Sequence, residues 1–333
     1  MNASGPVTFF IIEGLQEKKM LMFGVFLTIY VVVLCGNGMI IYLVRTDPKL
    51  QTPMYFFLHS LSFSDMVYVT ISIPNMLSGL LKDEHTISKT GCMLQMYFFL
   101  SMGSSCRGIL TAMAFDRYVA ICNPLRYTAI MTKRLCILLV FAAWCFGYLL
   151  VLPACFLALR LNFCGPNRVK HVLCDHSSVV RLACGNTTVN NIVSLFMAMV
   201  ILLGTFFLIL ASYVSIGITV YRMGRAERVK AFTTCASHLI VVCISYVSAT
   251  CVYVSYRVAT FSPDARMIVA VVYSVLTPSL NPIIYSLRNK ELWEALTRAL
   301  SRCVSVRRPP WSLFTSPNNM HLNPQSPSTA AGE

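Results

Sequence analysis

Residues 20–44 read MLMFGVFLTIYVVVLCGNGMIIYLV, a run without a single charged side chain. A helix rises ~1.5 Å per residue and the hydrocarbon core of a bilayer is ~30 Å thick, so about 20 such residues cross it. Runs 135–159, 236–256 and 267–287 are equally free of Asp, Glu, Lys and Arg. Three further runs are interrupted: 53–81 holds Asp65, 91–115 holds Arg107, and 189–221 has no charge but several Asn and Ser residues. Together they predict an all-α membrane protein, a seven-transmembrane helix bundle occupying residues 20–288.

Composition agrees, since 56% of the 333 residues are apolar and 12% are charged, against roughly 25% charged in a soluble domain. Too few charges remain to coat a water-facing globule. Loops between the runs are short, apart from one of about thirty residues before the fifth, and no repeat or soluble domain interrupts them. A transporter would show inverted repeats and paired broken helices, which the chain lacks. An intramembrane hydrolase would need a His, Asp or Ser-Lys constellation at mid-depth, where only Asp65 and Arg107 lie.

Lys and Arg favour the cytoplasmic side of membrane proteins. With the amino terminus outside, sixteen of the 27 basic residues fall in the inner segments and ten in the outer ones, with Arg107 between. Lys18 and Lys19, just before the first span, pull weakly the other way. The net charge of +14 is then mostly charge at the membrane surface, and no nucleic-acid partner is expected. No short apolar core with a cleavage site precedes Met20, so the first span is expected to act as an uncleaved signal anchor. The expected localisation is a multi-pass protein of the plasma membrane.

Most of the fourteen cysteines fall within apolar runs, where a thiol is a small hydrophobe. Cys92, Cys164, Cys174 and Cys184 fall outside, on the oxidising side, and allow three pairings. HVLCDH (171–176) has the residue types of a metal site, but oxidation of Cys174 is the better account, so no metal is expected. Residues 1–19 form a short outer tail with a glycosylation sequon at Asn2, and a second sequon begins at Asn186. Residues 289–304 place Leu292, Trp293, Leu296 and Leu300 on one stripe opposite Lys290, Glu294, Arg298 and Arg302, an amphipathic helix on the inner leaflet. Cys303 ends that helix as a palmitoylation site or as a plain buried thiol. Residues 305–333, rich in Pro, Ser and Asn, read as a disordered cytoplasmic tail.

MAFDRYVAICNPLRY (113–127) sets Asp116 and Arg117 where the third helix meets the inner headgroups. An ion pair there acts as a switch element with a small bias energy; a juxtamembrane anchor is the plainer reading. Pro278 and Pro282 flank Asn281 in the seventh span. They break the backbone ladder, and Asn281 is expected to repair freed backbone groups, as a hinge or as a static kink.

With TPMYFFLHSLSFSD (52–65), the SY pair 212–213, KAFTTCASHL (230–239) and NPIIYSLRNKE (281–291), these residues follow one order. The chain resembles an olfactory receptor of the rhodopsin-like G-protein-coupled class, in the larger land-vertebrate group, from Asn37 to Glu291. The resemblance implies a receptor with no cofactor and no chemistry on its ligand. It would bind a small volatile organic molecule and activate a heterotrimeric stimulatory G protein, raising cyclic AMP. A non-olfactory small-molecule receptor of the same fold is the alternative. The resemblance also implies bridges Cys92–Cys174 and Cys164–Cys184. An active inner contact of Arg117 with Tyr213 and Tyr285 would sit next to Tyr118, and a pocket would involve Gly103, Ser104, Tyr246, Ala249, Thr250 and Tyr253. Such an apolar cavity with a few hydroxyls gains ~25 cal/mol per Å² of buried ligand surface, which points to micromolar affinity.

The chain departs from the family at one place of physical interest. The third-span acid that normally joins Asp65 in a cation site is replaced by Cys106, and Arg107 follows it. The sixth span has Ser245 and Val247 where the family tends to place Phe and Gly. Arg107 lies ten residues before Arg117, ~15 Å of helix and about half the hydrocarbon core, where a charge costs ~2.5–3.5 kcal/mol on insertion scales. It is expected to reach Asp65, directly or through water, as a built-in cation. Two other readings stay open: contacts to carbonyls and waters alone, or a position facing the pocket and a polar ligand.

Overall fold

The computed structural model describes residues 7–13, 19–82, 84–164, 166–257 and 262–306. The expectations for Asn2 and for the tail beyond residue 306 lie outside these residues. Among the described residues seven helices are long and apolar enough to cross a membrane: α1 (Lys19–Thr46), α2 (Pro53–Leu81), α3 (Lys89–Cys122), α4 (Lys133–Leu159), α5 (Thr188–Tyr221), α6 (Arg225–Arg257) and α7 (Pro263–Arg288). An eighth, α8 (Lys290–Val306), follows after one residue. Its Leu292 is buried against the bundle while Trp293 and Leu300 stay exposed, as a helix lying along a lipid surface requires. Arg298 pairs with Asp47 at 2.7 Å, tying α8 to the turn after α1.

Helix α3 runs through the middle of the bundle and touches α2, α4, α5 and α6. Its closest neighbour is α4, and the reason is side-chain size. Ala143 and Gly147, one helical turn apart on α4, face Gly108, Ser101 and Ser105 of α3. A Cβ on Gly147 would come within 2.5 Å of the Ser101 carbonyl, and one on Gly108 within 2.8 Å of the Ala143 Cβ. Small residues at this spacing let backbones approach where no hydrophobic effect drives helices together. Ser88 and Thr132 cap the two helices, their hydroxyls accepting the N–H of Gly91 at 3.1 Å and of Leu135 at 3.3 Å.

Pro282 has no N–H to give the Pro278 carbonyl one turn earlier. The sequence suggested Asn281 for this repair; instead Asn37 of α1 donates to the Pro278 carbonyl at 3.3 Å and to the Val33 carbonyl at 3.0 Å. Gly36 beside it gives Pro282 its room, since a Cβ there would lie 3.0 Å from the proline Cβ. The Asn281 amide donates to Asp65 at 2.7 Å.

The tail before α1 is folded where it is described. Phe9–Ile12 (β1) pairs antiparallel with His85–Ser88 (β2), with Phe9 opposite Ser88, and parallel with Arg168–Val169 (β3). Phe10 is fully buried, edge-on to Phe163 at 5.1 Å, and Ile12 is buried on the same face, the period of a strand with one covered side. Cys92 is bridged to Cys174 and Cys164 to Cys184. The sheet, both bridges and a short helix (His176–Val180) cap one end of the bundle, here the sheet end. Arg117 marks the other.

Candidate functional site

A cavity of about 480 Å³ opens beneath the sheet end between α3, α5, α6, α7 and the short loop helix. Ligand pockets of drug-sized molecules span ~300–1,000 Å³. Gly103 and Ser104 of α3 and Ala249 and Tyr253 of α6 line it, together with Arg107, Met197, Ile201, His176 and Tyr273. Ala249 and Tyr253 share a helix face because they are four residues apart. Thr250, about 100° further round than Ala249, is exposed and lines no part of the cavity. Tyr246 lies one turn deeper, outside the lining, with its hydroxyl 2.5 Å from Thr205 Oγ1 and its ring against Phe206.

Thr205 follows a π-helical turn, Val200–Gly204, in the middle of α5. Such turns place one extra residue in the helix and recur at functional sites. This one presents Ile201 and Leu202 to the cavity and Thr205 to Tyr246. Periodicity does not reveal it, because the whole run is apolar.

Arg107 forms the floor. Nη1 donates to the Gly103 carbonyl at 2.8 Å and Nη2 to the Tyr273 hydroxyl at 2.5 Å. The expected direct pairing with Asp65 is not formed: Asp65 accepts from Asn281 at 2.7 Å and faces the Cys106 thiol at 3.9 Å. The geometry explains the difference. Arg107 is one helical turn from Gly103, and its guanidinium runs back along α3 to the Gly103 carbonyl and the Tyr273 hydroxyl. Cys106, one position back, takes the Asp65 side of the helix.

At the opposite end Asp116 is fully buried and Arg117 nearly so. Asp116 Oδ2 accepts from both Arg117 Nη2 and Nε, the latter at 3.0 Å, and Oδ1 accepts from the Tyr127 hydroxyl at 2.7 Å. Arg117 is therefore held by its neighbour. Tyr213 contacts His238 at 2.7 Å, and the Tyr285 hydroxyl, buried completely, has no hydrogen-bond partner among the described residues. Tyr118 packs half-buried beside Phe115. The sequence reading missed His238, whose Nε2 lies 3.0 Å from the Leu110 carbonyl of α3. A carbonyl only accepts, so Nε2 carries the proton and Nδ1 accepts from the Tyr213 hydroxyl. One imidazole thus links α3, α5 and α6. The available signal was a lone His inside a charge-free run.

In the loop between α4 and α5, burial holds the imidazoles of His171 and His176 below the ordinary histidine range, while Asp175 pulls the other way. Cys174 between them is consumed in its disulfide.

Seven spanning helices of this order define the seven-transmembrane receptor fold. Squid rhodopsin matches it with a TM-score of 0.69 over 87% of this chain and 88% of its own, at 18% identity. The family is set by sequence: the olfactory receptor profile matches residues 26–303, and the chain belongs to that family. Human olfactory receptor 6N1 is 47% identical over 88% of this chain and 95% of its own length. Human olfactory receptor 10C1 is 42% identical over 90% and 97%, and mouse olfactory receptor 1J21 42% over 89% and 96%. The chain is thus a multi-pass odorant receptor of the rhodopsin-like G-protein-coupled class and not an enzyme.

Proposed function

We propose that the sheet end faces the outside of the plasma membrane and that small, mostly apolar volatile molecules bind in the cavity beneath it. Binding then releases Arg117 at the inner end, and the receptor activates a stimulatory olfactory-type G protein and raises cyclic AMP. The observation that carries this reading is the placement of the cavity. It is walled by α3, α5, α6 and α7, and α3, α5 and α6 also meet at the Leu110–His238–Tyr213 link, next to the held Arg117. A ligand that draws α6 toward α5 through Tyr246 and Thr205 acts on the same helices that the link ties together. Two disulfides beside the cavity suit an oxidising outer face.

The test is a cyclic AMP reporter in cells with the full-length receptor verified at the surface, against a chemically diverse odorant panel. Concentration-dependent responses in the micromolar range are expected. Cyclic AMP that stays flat across the panel, with good surface density, would overturn the reading.

A further inference from the structure

We propose that this pocket selects small organic acids, with a carboxylate seated on Arg107 and Tyr273 and a short apolar tail toward α5 and α6. The proposal rests on the reading of the cavity as the ligand site and adds the chemical class of its ligand.

Arg107 is 7% exposed and carries its charge at the floor of the cavity. A guanidinium has five N–H donors in a planar fork. Two are used, on the Gly103 carbonyl and the Tyr273 hydroxyl, both uncharged acceptors. Buried Nε meets no acceptor among the described residues. Among the described residues no carboxylate is paired with it either. Asp65 is turned to Asn281 and Cys106. Asp175, the acid that lines the cavity, caps the short loop helix by accepting from the Ser178 N–H at 3.1 Å and its hydroxyl at 3.3 Å.

A buried charge at this depth requires a partner. A neutral carbonyl or alcohol would satisfy a donor and leave the charge standing. A carboxylate supplies an acceptor for the fork and the missing negative charge together, in hydrogen bonds about twice as strong as neutral ones. The rest of the lining, Met197, Ile201 and Ala249 among others, suits an alkyl chain.

The approach to the cavity carries the same sign. A second cavity of about 460 Å³ beside it is lined, among the described residues, by Arg168, Lys170, Arg181, Arg266 and Glu13. Arg168 is shared between Glu13 and Glu84, and Arg181 lines both cavities. A cleft with an excess of one sign raises the local concentration of the opposite ion. An anionic ligand is therefore gathered at the mouth and neutralised at the floor.

The test uses the full-length receptor at measured surface density, with octanoate and hexanoate against 1-octanol, octanal and methyl octanoate. Cyclic AMP is read in cells, and thermal stabilisation of the purified receptor in nanodiscs is read in parallel. Octanoate is expected to be at least about 10-fold more potent than its neutral counterparts. Arg107→Gln should raise its half-maximal concentration about 30-fold and Tyr273→Phe about 10-fold, both as expected for hydrogen bonds to a charged group. Arg107→Lys, which keeps the charge and loses the fork, should fall between wild type and Arg107→Gln. Responses to the neutral compounds with none to the acids would overturn the proposal and leave the receptor reading intact. Stabilisation by octanoate without cyclic AMP would support the acid site and overturn the signalling reading. Absence of both responses to the acids would overturn the proposal.

Discussion

Replacing Asp116 with Asn removes the charge that holds Arg117 and leaves the shape of the side chain. In the wild type Asp116 accepts two bonds from Arg117 through Oδ2 and one from Tyr127 through Oδ1, all buried. The Asn side chain keeps an acceptor for Tyr127 but meets the guanidinium with a neutral amide. A hydrogen bond to a charged group contributes about 1.5–3 kcal/mol. The loss falls on the closed arrangement alone, because an Arg117 freed at the helix end is stabilised by water or by a G protein. The ratio of open to closed receptor then rises between about 10-fold and about 150-fold. A minor state populated at about 1% would become about 10–60% of the receptor. Ligand-free cyclic AMP at matched surface density reads this directly. Tyr127→Phe provides a graded companion: it deletes one of the three bonds to the carboxylate and should raise the basal signal about 10-fold, the low end of the range for a bond to a charged group. Basal cyclic AMP in Asp116→Asn equal to wild type at equal surface density would refute the latch.

His238→Phe keeps a ring of similar size but cuts both the Tyr213 and Leu110 bonds. At about 1 kcal/mol each, the two losses shift the open-to-closed ratio about 30-fold and should raise ligand-free cyclic AMP about 20-fold from a minor state of about 1%, and an unchanged basal signal would count against the three-helix link. Gly147→Ala forces a Cβ within 2.5 Å of the Ser101 carbonyl and should cost about 1–3 kcal/mol. Thermal unfolding of the purified receptor checks this against Gly217→Ala, whose added Cβ meets nothing within 4 Å and should be neutral. Burial depresses the His171 and His176 pKa values despite Asp175, so the unfolded chain takes up protons first as pH falls below about 6.5. Stability of the outer cap should therefore fall between pH 7.4 and 5.5. His176→Gln should reduce the drop in melting temperature, and a melting temperature that rose on acidification would contradict the assignment.

Helix number and placement were legible because lipid leaves a chain little choice: an apolar run of sufficient length must be helical. Features that depend on contacts between distant residues were not. β1 is four residues long, and Phe10 and Ile12 become a strand face only by pairing with residues 85–88 and 168–169. Asn37 rather than Asn281 reaches the Pro278 carbonyl because α1 packs on the broken stretch of α7, and no local pattern encodes that. Of the residues expected at the pocket, Ala249 and Tyr253 line it, whereas Thr250 points away and Tyr246 sits deeper. A resemblance transfers positions along a helix more reliably than the direction each side chain takes. Depth alone placed Arg107 correctly, but it did not choose between its neighbours; that depended on the face of α3 each residue occupies, with Cys106 toward Asp65 and Arg107 toward Tyr273.

The central claim is that occupancy of the cavity controls the inner latch. The most direct measurement is nucleotide exchange on a purified stimulatory G protein by the full-length receptor in nanodiscs, with and without an agonist found in the panel. Ala249→Phe, which fills the cavity from α6, should abolish the ligand-stimulated increase and leave the ligand-free rate in place. Exchange that ignores the ligand in wild type, or that persists undiminished in Ala249→Phe, would contradict the account.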